Sequence, residues 1–486
     1  MSSVVVVGSG PNGLVAAVLL ADCGFDVEVI EAAALPGGGL HTSELTLPGF
    51  RHDVCASVYP LALASPVLRG MGLEREGLRW AHSPVALAHP LDGAAAGLLH
   101  RSLSRTAAEL GEDGARWRTL VGSAAAAGDT LVDALMSPLQ FPRRGHRDLL
   151  RYGTAGVLPA AWLAPAALRG EPARAMFAGL AAHSALHLGA PLTSGYGVLL
   201  AALAHRVGWP VVVGGSDQLA AALVARLRSR GGRITLGRKV IDVRELSYAD
   251  AVVLDVGPRQ LLELAGPLLP ASYARGLRRF RSGPGVFKVD WALDGPVPWR
   301  DSRVATAATV HLGGTLGQVV AAERAVAQGR HVDRPFVLFG QPTVADPSRA
   351  PRGGHIAWAY CHVPNSSTRD MTAAIEAQVE RFAPGFAERV IGRHVMGPAQ
   401  LQAHNANLIG GDIAGGSADW RQFLFRPMPA REPWVVPIRN TYLCSASTPP
   451  GGGVHGMGGF HAAGALLRRM GGPTSSATPW GSGSRT

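Results

Sequence analysis

Val4-Val5-Val6-Val7-Gly8-Ser9-Gly10-Pro11-Asn12-Gly13 opens the chain, followed by an Ala/Leu-rich run to Gly24 and then by Val27-Glu28-Val29-Ile30-Glu31. Four β-branched residues, a Gly-x-Gly-x-x-Gly, apolar residues at 3.6 spacing and a second Val/Ile run ending in an acid predict strand, phosphate loop, helix and strand. Gly8 permits the tight turn, Gly10 lets a pyrophosphate approach the backbone, and Gly13 lets the helix pack on the sheet. The helix N-terminus offers unpaired N–H groups and a positive dipole end to the phosphates. Glu31 stands where a carboxylate accepts hydrogen bonds from a ribose. A glycine-rich turn of some other α/β domain also matches the bare pattern. Strand, helix and terminal acid together favour a dinucleotide-binding βαβ unit.

Moving outward, Pro36-Gly37-Gly38-Gly39-Leu40-His41-Thr42 is a second place where backbone can come close to a ligand. Residues 104–207 are mostly helical in character, broken at Pro138, Pro142, Pro159, Pro165, Pro172 and Pro191. The segment Ala173 to Leu186 is apolar nearly all round, which suits either an apolar cavity wall or ordinary helix packing. His183 and His187 lie one turn apart, but no third metal ligand follows at a recognisable spacing. From Gly208 onward strands and helices alternate again: Val211 to Val213, a helix Leu219 to Arg230, a strand Arg233 to Val243, and the strand Ala251 to Asp255 with a helix from Pro258. They can return to the sheet begun at Val4.

Ser282 to Asp294 alternates apolar and polar residues and reads as a two-faced strand; Phe336 to Gln341 and Ile356 to Val363 read as antiparallel strands, and Met371 to Phe382 as a helix. The expected fold is α/β: an FAD-binding Rossmann-like (glutathione-reductase-like) domain with an inserted helical region and a mixed-sheet substrate domain. Its parts are 1–103, 208–280 and 401–470 for FAD binding, 104–207 for the helical cap, 281–400 for the substrate domain and 471–486 for a disordered tail.

Composition narrows the function. Net charge is +11, yet no block of five or six basic residues appears, so solvated surface arginine explains the charge and nucleic acid is not an expected partner. Of 46 basic residues only Lys239 and Lys288 are lysine, which draws notice to any lysine that survives. Cys23, Cys55, Cys361 and Cys444 form no CxxC pair, so no metal site or redox disulfide is expected, and all four read as buried thiols. The first strand begins within a few residues of Met1 and no run of eighteen apolar residues occurs. The expectation is a cytoplasmic protein without a spanning helix, a peripheral membrane contact staying open.

Near the other end, Thr441 to Ser447 is a short buried strand running into Thr448-Pro449-Pro450-Gly451-Gly452-Gly453-Val454-His455-Gly456-Met457, then a helix from Phe460 to Met470. This repeats the opening logic without an acid-ended strand after it, and so fits the same bound cofactor better than a second one. A helix N-terminus at the pyrimidine end of a flavin would stabilise negative charge there.

At this point the sequence resembles flavin-dependent oxidoreductases of the phytoene desaturase and carotenoid isomerase type, within them the branch of pyridine nucleotide-disulfide oxidoreductase domain-containing protein 2. The resemblance rests on Val5 to Gly13, Gly37 to Thr42, Leu45 to Phe50, Gly285 to Trp291, Asn405-Ala406-Asn407 with Gly410-Gly411-Asp412, and Pro449 to Met457. It implies FAD as cofactor. Gly8, Ser9, Gly10, Asn12 and Gly13 would hold its pyrophosphate, Glu31 its ribose, and Gly38, Gly39 and His41 would lie along the diphosphate or flavin. Val240 would meet adenine through its backbone, and Ser447, Gly453, Val454 and His455 would face the isoalloxazine. His41 departs from the arginine common in relatives, so charge there follows pH. The branch's disulfide name finds no cysteine pair here.

The expected activity is an FAD-dependent desaturase or oxidase acting on an apolar small molecule, with electrons passed to oxygen, a quinone or another acceptor. Lys288 and His455 are the candidate catalytic residues. Lys288 would move a proton near the flavin, or else form a structural ion pair with Asp290. Redox-neutral isomerisation, amine oxidation and a flavin-bound assembly protein without turnover are the alternatives. Substrate identity and oligomeric state are not legible.

Overall fold

The computed structural model describes residues 2–137 and 146–471. The breaks expected at Pro138 and Pro142 and the tail from residue 472 lie outside the described residues. In chain order, the elements that matter begin with β1 (Ser3–Val7), α1 (Pro11–Asp22) and β2 (Asp26–Ile30). The hairpin β3 (Val85–Leu91) and β4 (Ala94–Leu99) follows, then helices α2 (Gly114–Leu135), α3 (His146–Gly156), α4 (Ala160–Ala167), α5 (Glu171–Ala182) and α6 (Thr193–Arg206). Next come α7 (Asp217–Ser229), β5 (Arg233–Thr235), β6 (Ala251–Leu254), β7 (Gly285–Leu293) and β8 (Ala307–Leu312). The last are α8 (Leu316–Ala327), β9 (Val337–Gly340), β10 (His355–Val363), α9 (Thr372–Phe382), β11 (Val390–Met396), β12 (Thr441–Leu443) and α10 (Met457–Met470).

Two sheets organise these elements. The first is wholly parallel, in the order β12-β6-β1-β2-β5. Val4 to Val7 of its central strand β1 are buried on both faces, as a parallel strand covered by helices requires. α1 is apolar all round because it packs between this sheet, α7 and α10. Leu14 and Leu20 are fully buried there, and truncating either to alanine costs about 2–5 kcal/mol. The second sheet runs β11-β7-β10-β9-β8-β3-β4, antiparallel except where β8 pairs with β3. Helices α2 to α6 form the insertion between the two halves of the Rossmann domain.

Three expectations change. Residues 85–99 do not belong to the dinucleotide domain; β3 and β4 complete the mixed sheet, because β8 needs a partner for its far edge. Arg233 to Val243 is not one strand: β5 ends at Thr235, and Asp242 caps a 3₁₀ turn over Val243–Leu246, accepting from the Arg244 N–H. Val211–Val212 pairs with Trp80–Ala81 in a separate ribbon, outside the parallel sheet. β7 keeps the two faces its alternation predicts, but every residue in it is buried, so its polar side chains face protein partners.

The four cysteines are free; Cys361 and Cys444 are buried, Cys23 and Cys55 half-buried. Among the described residues no helix is long and apolar enough to cross a membrane, and no group of three or more His, Cys, Asp or Glu is arranged around a metal position. His183 does not turn toward His187: its Nε2 lies 3.0 Å from Nε2 of His311 on β8.

Candidate functional site

The three glycine segments expected along the cofactor converge. Gly8 has φ of 96°, a left-handed turn that suits glycine, and it swings the chain from β1 into α1. A Cβ built on Gly38 would sit 2.9 Å from Gly10 Cα, so the 37–39 turn lies directly against the first loop. The Gly37 N–H donates to the Ser9 carbonyl at 3.1 Å, fixing that contact. At the other end, a Cβ on Gly459 would run into the carbonyl oxygen of Asn12, so α10 approaches α1 backbone to backbone. The second glycine turn, which ends at the start of α10, is thereby set beside the first.

Glu31 follows β2 and faces the loop. One carboxylate oxygen accepts from the Ser9 N–H at 2.8 Å and the Ser9 hydroxyl at 2.6 Å, the other from the Ala33 N–H at 2.8 Å. The Asn12 side chain turns away from the loop, its Oδ1 accepting from Gly459 N–H at 3.4 Å. Gly39 sits against Cys55, and His41 places Nε2 3.2 Å from the Pro36 carbonyl with its ring edge-on to His404. Val240 is buried with Val5, Val7 and Ile30 under the sheet's other face.

In the second turn Ser447 is buried with its hydroxyl 2.6 Å from that of Ser445. A Cβ on Gly453 would meet Leu61 at 2.8 Å, and Val454 packs at the edge of the same apolar cluster. His455 departs from the catalytic expectation. Its Nδ1 accepts from Met457 N–H at 3.0 Å and its Nε2 lies 3.2 Å from the Gly451 carbonyl, so both ring nitrogens are spent on folding the turn. That pattern requires the neutral imidazole, and burial pushes its pKa down to about 4.

Lys288, on β7, is also committed. Its ammonium donates to the Asp53 carbonyl at 3.0 Å and to both oxygens of Asp290 at 2.5 Å. The structural ion pair with Asp290 is the arrangement present. It belongs to a buried polar seam that sequence reasoning missed: His52 Nδ1 lies 3.7 Å from Asp290, and fully buried Arg349 lies 2.9 Å from Asp53. Burial, with Lys288 and Arg349 adding to it, pushes His52 down to about 3, so it stays neutral beside the pair. Only the alternation of β7 hinted at the seam; its other members come from distant segments.

Also missed were Trp358 and Tyr360. Being two apart on β10, they share the Lys288 face of the sheet, with ring centroids 6.1 Å apart and planes within 7°. Asp255, at the end of β6, was read as a strand end; its carboxylate enters the first glycine turn and accepts from Gly13 N–H at 3.0 Å.

The residues fit a dinucleotide: a glycine turn out of β1 with no room for a Cβ, the positive dipole end of α1 behind it, and an acid after β2. Residues 6–71 match the family described as NAD(P)-binding Rossmann-like domain. The pyridine nucleotide-disulfide oxidoreductase domain-containing protein 2 of Rattus norvegicus is 26% identical over 96% of this chain and 93% of its own. The lycopene-forming phytoene desaturase of a Paracoccus strain is 25% identical over 57% of this chain and 58% of its own. The chain is a homologue of these oxidoreductases. In fold it is similar to the crystal structure of an oxidoreductase from Methanosarcina mazei, with TM-score 0.63, 16% identity, and 96% and 100% of the two chains covered. The segment matched to the Rossmann-like family runs from the glycine loop through the acid after β2 and the 37–39 turn.

Proposed function

We propose that this protein is an FAD-dependent oxidoreductase that removes a hydride and a proton from adjacent atoms of an apolar small molecule. The observation that supports it best is the joining of the two glycine turns through Gly459 and Asn12, which gives one extended cofactor strip instead of a lone phosphate loop. FAD is the cofactor. Gly8 to Gly13 with Gly38 receive its diphosphate, Glu31 its ribose, Val240 its adenine side, and Ser447 with Gly453 to His455 its ring system. When bound, the flavin supplies the hydride acceptor. The chain's own residues position the substrate C–H bond and exclude water. Lys288 and His455 act as positioning residues: the first ties the mixed sheet to the 52–53 segment, the second folds the turn. Electrons pass on to oxygen, a quinone or another carrier.

An apolar substrate is proposed because the helical insertion meets the mixed sheet through apolar side chains, Met176 and Phe177 on α5 sharing one large cluster with Phe336, Leu338 and Trp358. Amine oxidation is the second reading, supported by the parallel Trp358 and Tyr360 rings, whose faces attract a cation. Contact with an anionic membrane surface is part of the proposal. Leu150, Val157, Leu158 and Trp162 are exposed on and between α3 and α4, Trp162 at 67%, and exposed Arg147, Arg151 and Arg169 lie on α3 or just after α4.

Anaerobic mixing of the flavin-loaded protein with polyene, fatty, polyketide and amine compounds tests the reading. Bleaching by an apolar compound, with a product lighter by two hydrogens, supports dehydrogenation. Bleaching by amines alone moves the assignment to amine oxidation, and a product of unchanged mass to isomerisation. A protein that binds no flavin ends the proposal.

A further inference from the structure

An acid sits inside the phosphate-binding turn. Asp255 Oδ2 accepts from Gly13 N–H at 3.0 Å, and a Cβ built on Gly10 would lie 2.5 Å from the same oxygen. A Cβ on Gly8 would lie 3.0 Å from the Asp255 carbonyl. All three glycines of the motif therefore wrap this one residue. It reaches them from 242 positions down the chain, because β6 pairs beside β1 in register, Leu254 opposite Val7. Its backbone is fixed from outside: Asp255 N–H donates to the Val7 carbonyl at 2.8 Å and Asn407 Nδ2 to the Asp255 carbonyl at 3.2 Å.

The N-terminal end of α1 that receives the Asp255 oxygen is the same end whose dipole suits a diphosphate. A carboxylate there and a diphosphate bound at the same helix end would repel each other. A carboxylic acid removes the conflict: it keeps one oxygen as acceptor for Gly13 and offers its O–H to a phosphate oxygen. Resting on the FAD reading above, we propose that Asp255 is a cofactor-binding residue that carries a proton in the flavin complex and donates it in a hydrogen bond to the diphosphate. Binding FAD then takes up one proton wherever Asp255 is ionised in the free protein.

The surroundings agree. The titratable groups acting on Asp255 are Glu31 after β2 and the thiol of Cys444 after β12; no cation acts on it among the described residues. Burial is the largest cause raising its pKa and Glu31 adds to it, against hydrogen bonds from Gly13 and Gly10, leaving it at about 7 without the cofactor.

The test is the FAD dissociation constant of the flavin-stripped full chain from pH about 6 to about 9, for wild type, Asp255→Asn and Asp255→Ala, with folding checked by circular dichroism. For wild type Kd should be flat below about pH 7 and rise up to about tenfold per pH unit above it. The carboxamide introduced by Asp255→Asn keeps an acceptor for Gly13 and a donor for phosphate, so D255N should bind at all pH values about as wild type does at pH 6. D255A should bind more weakly at pH 6 and show no pH dependence in this range. A wild-type Kd flat to pH 9, or a folded D255N as weak as D255A, overturns the assignment while leaving the FAD reading intact. A wild type that takes up no FAD at any pH overturns both.

Discussion

Lys288 Nζ lies 2.5 Å from Asp290 and 3.0 Å from the carbonyl oxygen of Asp53, all of them buried. One of only two lysines in the chain thus joins β7 of the mixed sheet to the segment that leaves the first glycine turns. Its compact ammonium reaches two acceptors where a guanidinium would have to shift its neighbours.

Removing that cation should show first in stability. Lys288→Met leaves the Asp290 carboxylate buried and unpaired, and should lower unfolding free energy by about 3–5 kcal/mol. Adding Asp290→Asn should recover part of the loss, since the uncompensated charge goes with it. Denaturant melts of both single variants and the double variant check this; a strictly additive double variant contradicts the pairing. If flavin-loaded K288M is reduced by substrate as fast as wild type, a role for Lys288 in positioning the substrate is also excluded.

The contact between the two glycine turns is rigid. In Gly459→Ala the new methyl collides with the Asn12 carbonyl, a backbone atom that cannot rotate away. Overpacking of this kind costs about 1–3 kcal/mol, and here it also pushes α10 from α1. We expect a lower melting temperature together with weaker FAD retention on gel filtration. Wild-type retention in a G459A protein would show that the two turns do not serve one cofactor.

A buried pair on the mixed sheet sets a pH dependence. His362 Nδ1 lies 2.8 Å from a carboxylate oxygen of Glu323 on α8. Burial opposes the charge on His362, yet Glu323, through its field and hydrogen bond, leaves the pKa raised above 6.5. A raised histidine pKa means that the folded state binds the proton more tightly than the unfolded chain. The stabilisation is complete below the unfolded value of about 6.5 and is lost as pH rises through the higher folded value. Thermal melts of wild type and His362→Gln at pH about 6 and about 8.5 should therefore differ more at the lower pH; a larger difference at the higher pH reverses the sign and refutes the pair.

The exposed apolar residues of α3 and α4 give a binding experiment. Wild-type protein should sediment with vesicles containing anionic phosphatidylglycerol and less with pure phosphatidylcholine, and added salt should release it. Leu150→Ser with Trp162→Ser should lower the bound fraction several-fold, since each side chain contributes about 1.5–3 kcal/mol on burial. Concentration-dependent dimerisation lost in the same double variant would assign the patch to a second copy of the chain instead.

The amino-acid sequence by itself determined whatever depends on neighbours along the chain. Val4 to Gly13 and Glu31 could be placed because a β-branched run, three glycines and an apolar Ala/Leu run are local signals, and β9, β10 and α9 followed from periods of 2 and 3.6. The tertiary structure decided what happens between distant segments. β3 and β4 left the dinucleotide domain because strand pairing is settled by edges, which no local window contains. For Lys288 the sequence offered a proton carrier or an ion pair with Asp290, two positions along the same strand; the contact with the Asp53 carbonyl, 235 positions away, came only with the fold. Asp255 looked like the last residue of a strand, and only the parallel pairing of β6 with β1 brings its carboxylate into the turn of Gly8, Gly10 and Gly13. The reason is physical: propensity and periodicity act over a few residues, whereas the position of a charge relative to a cofactor is fixed by how sheets align residues hundreds of positions apart.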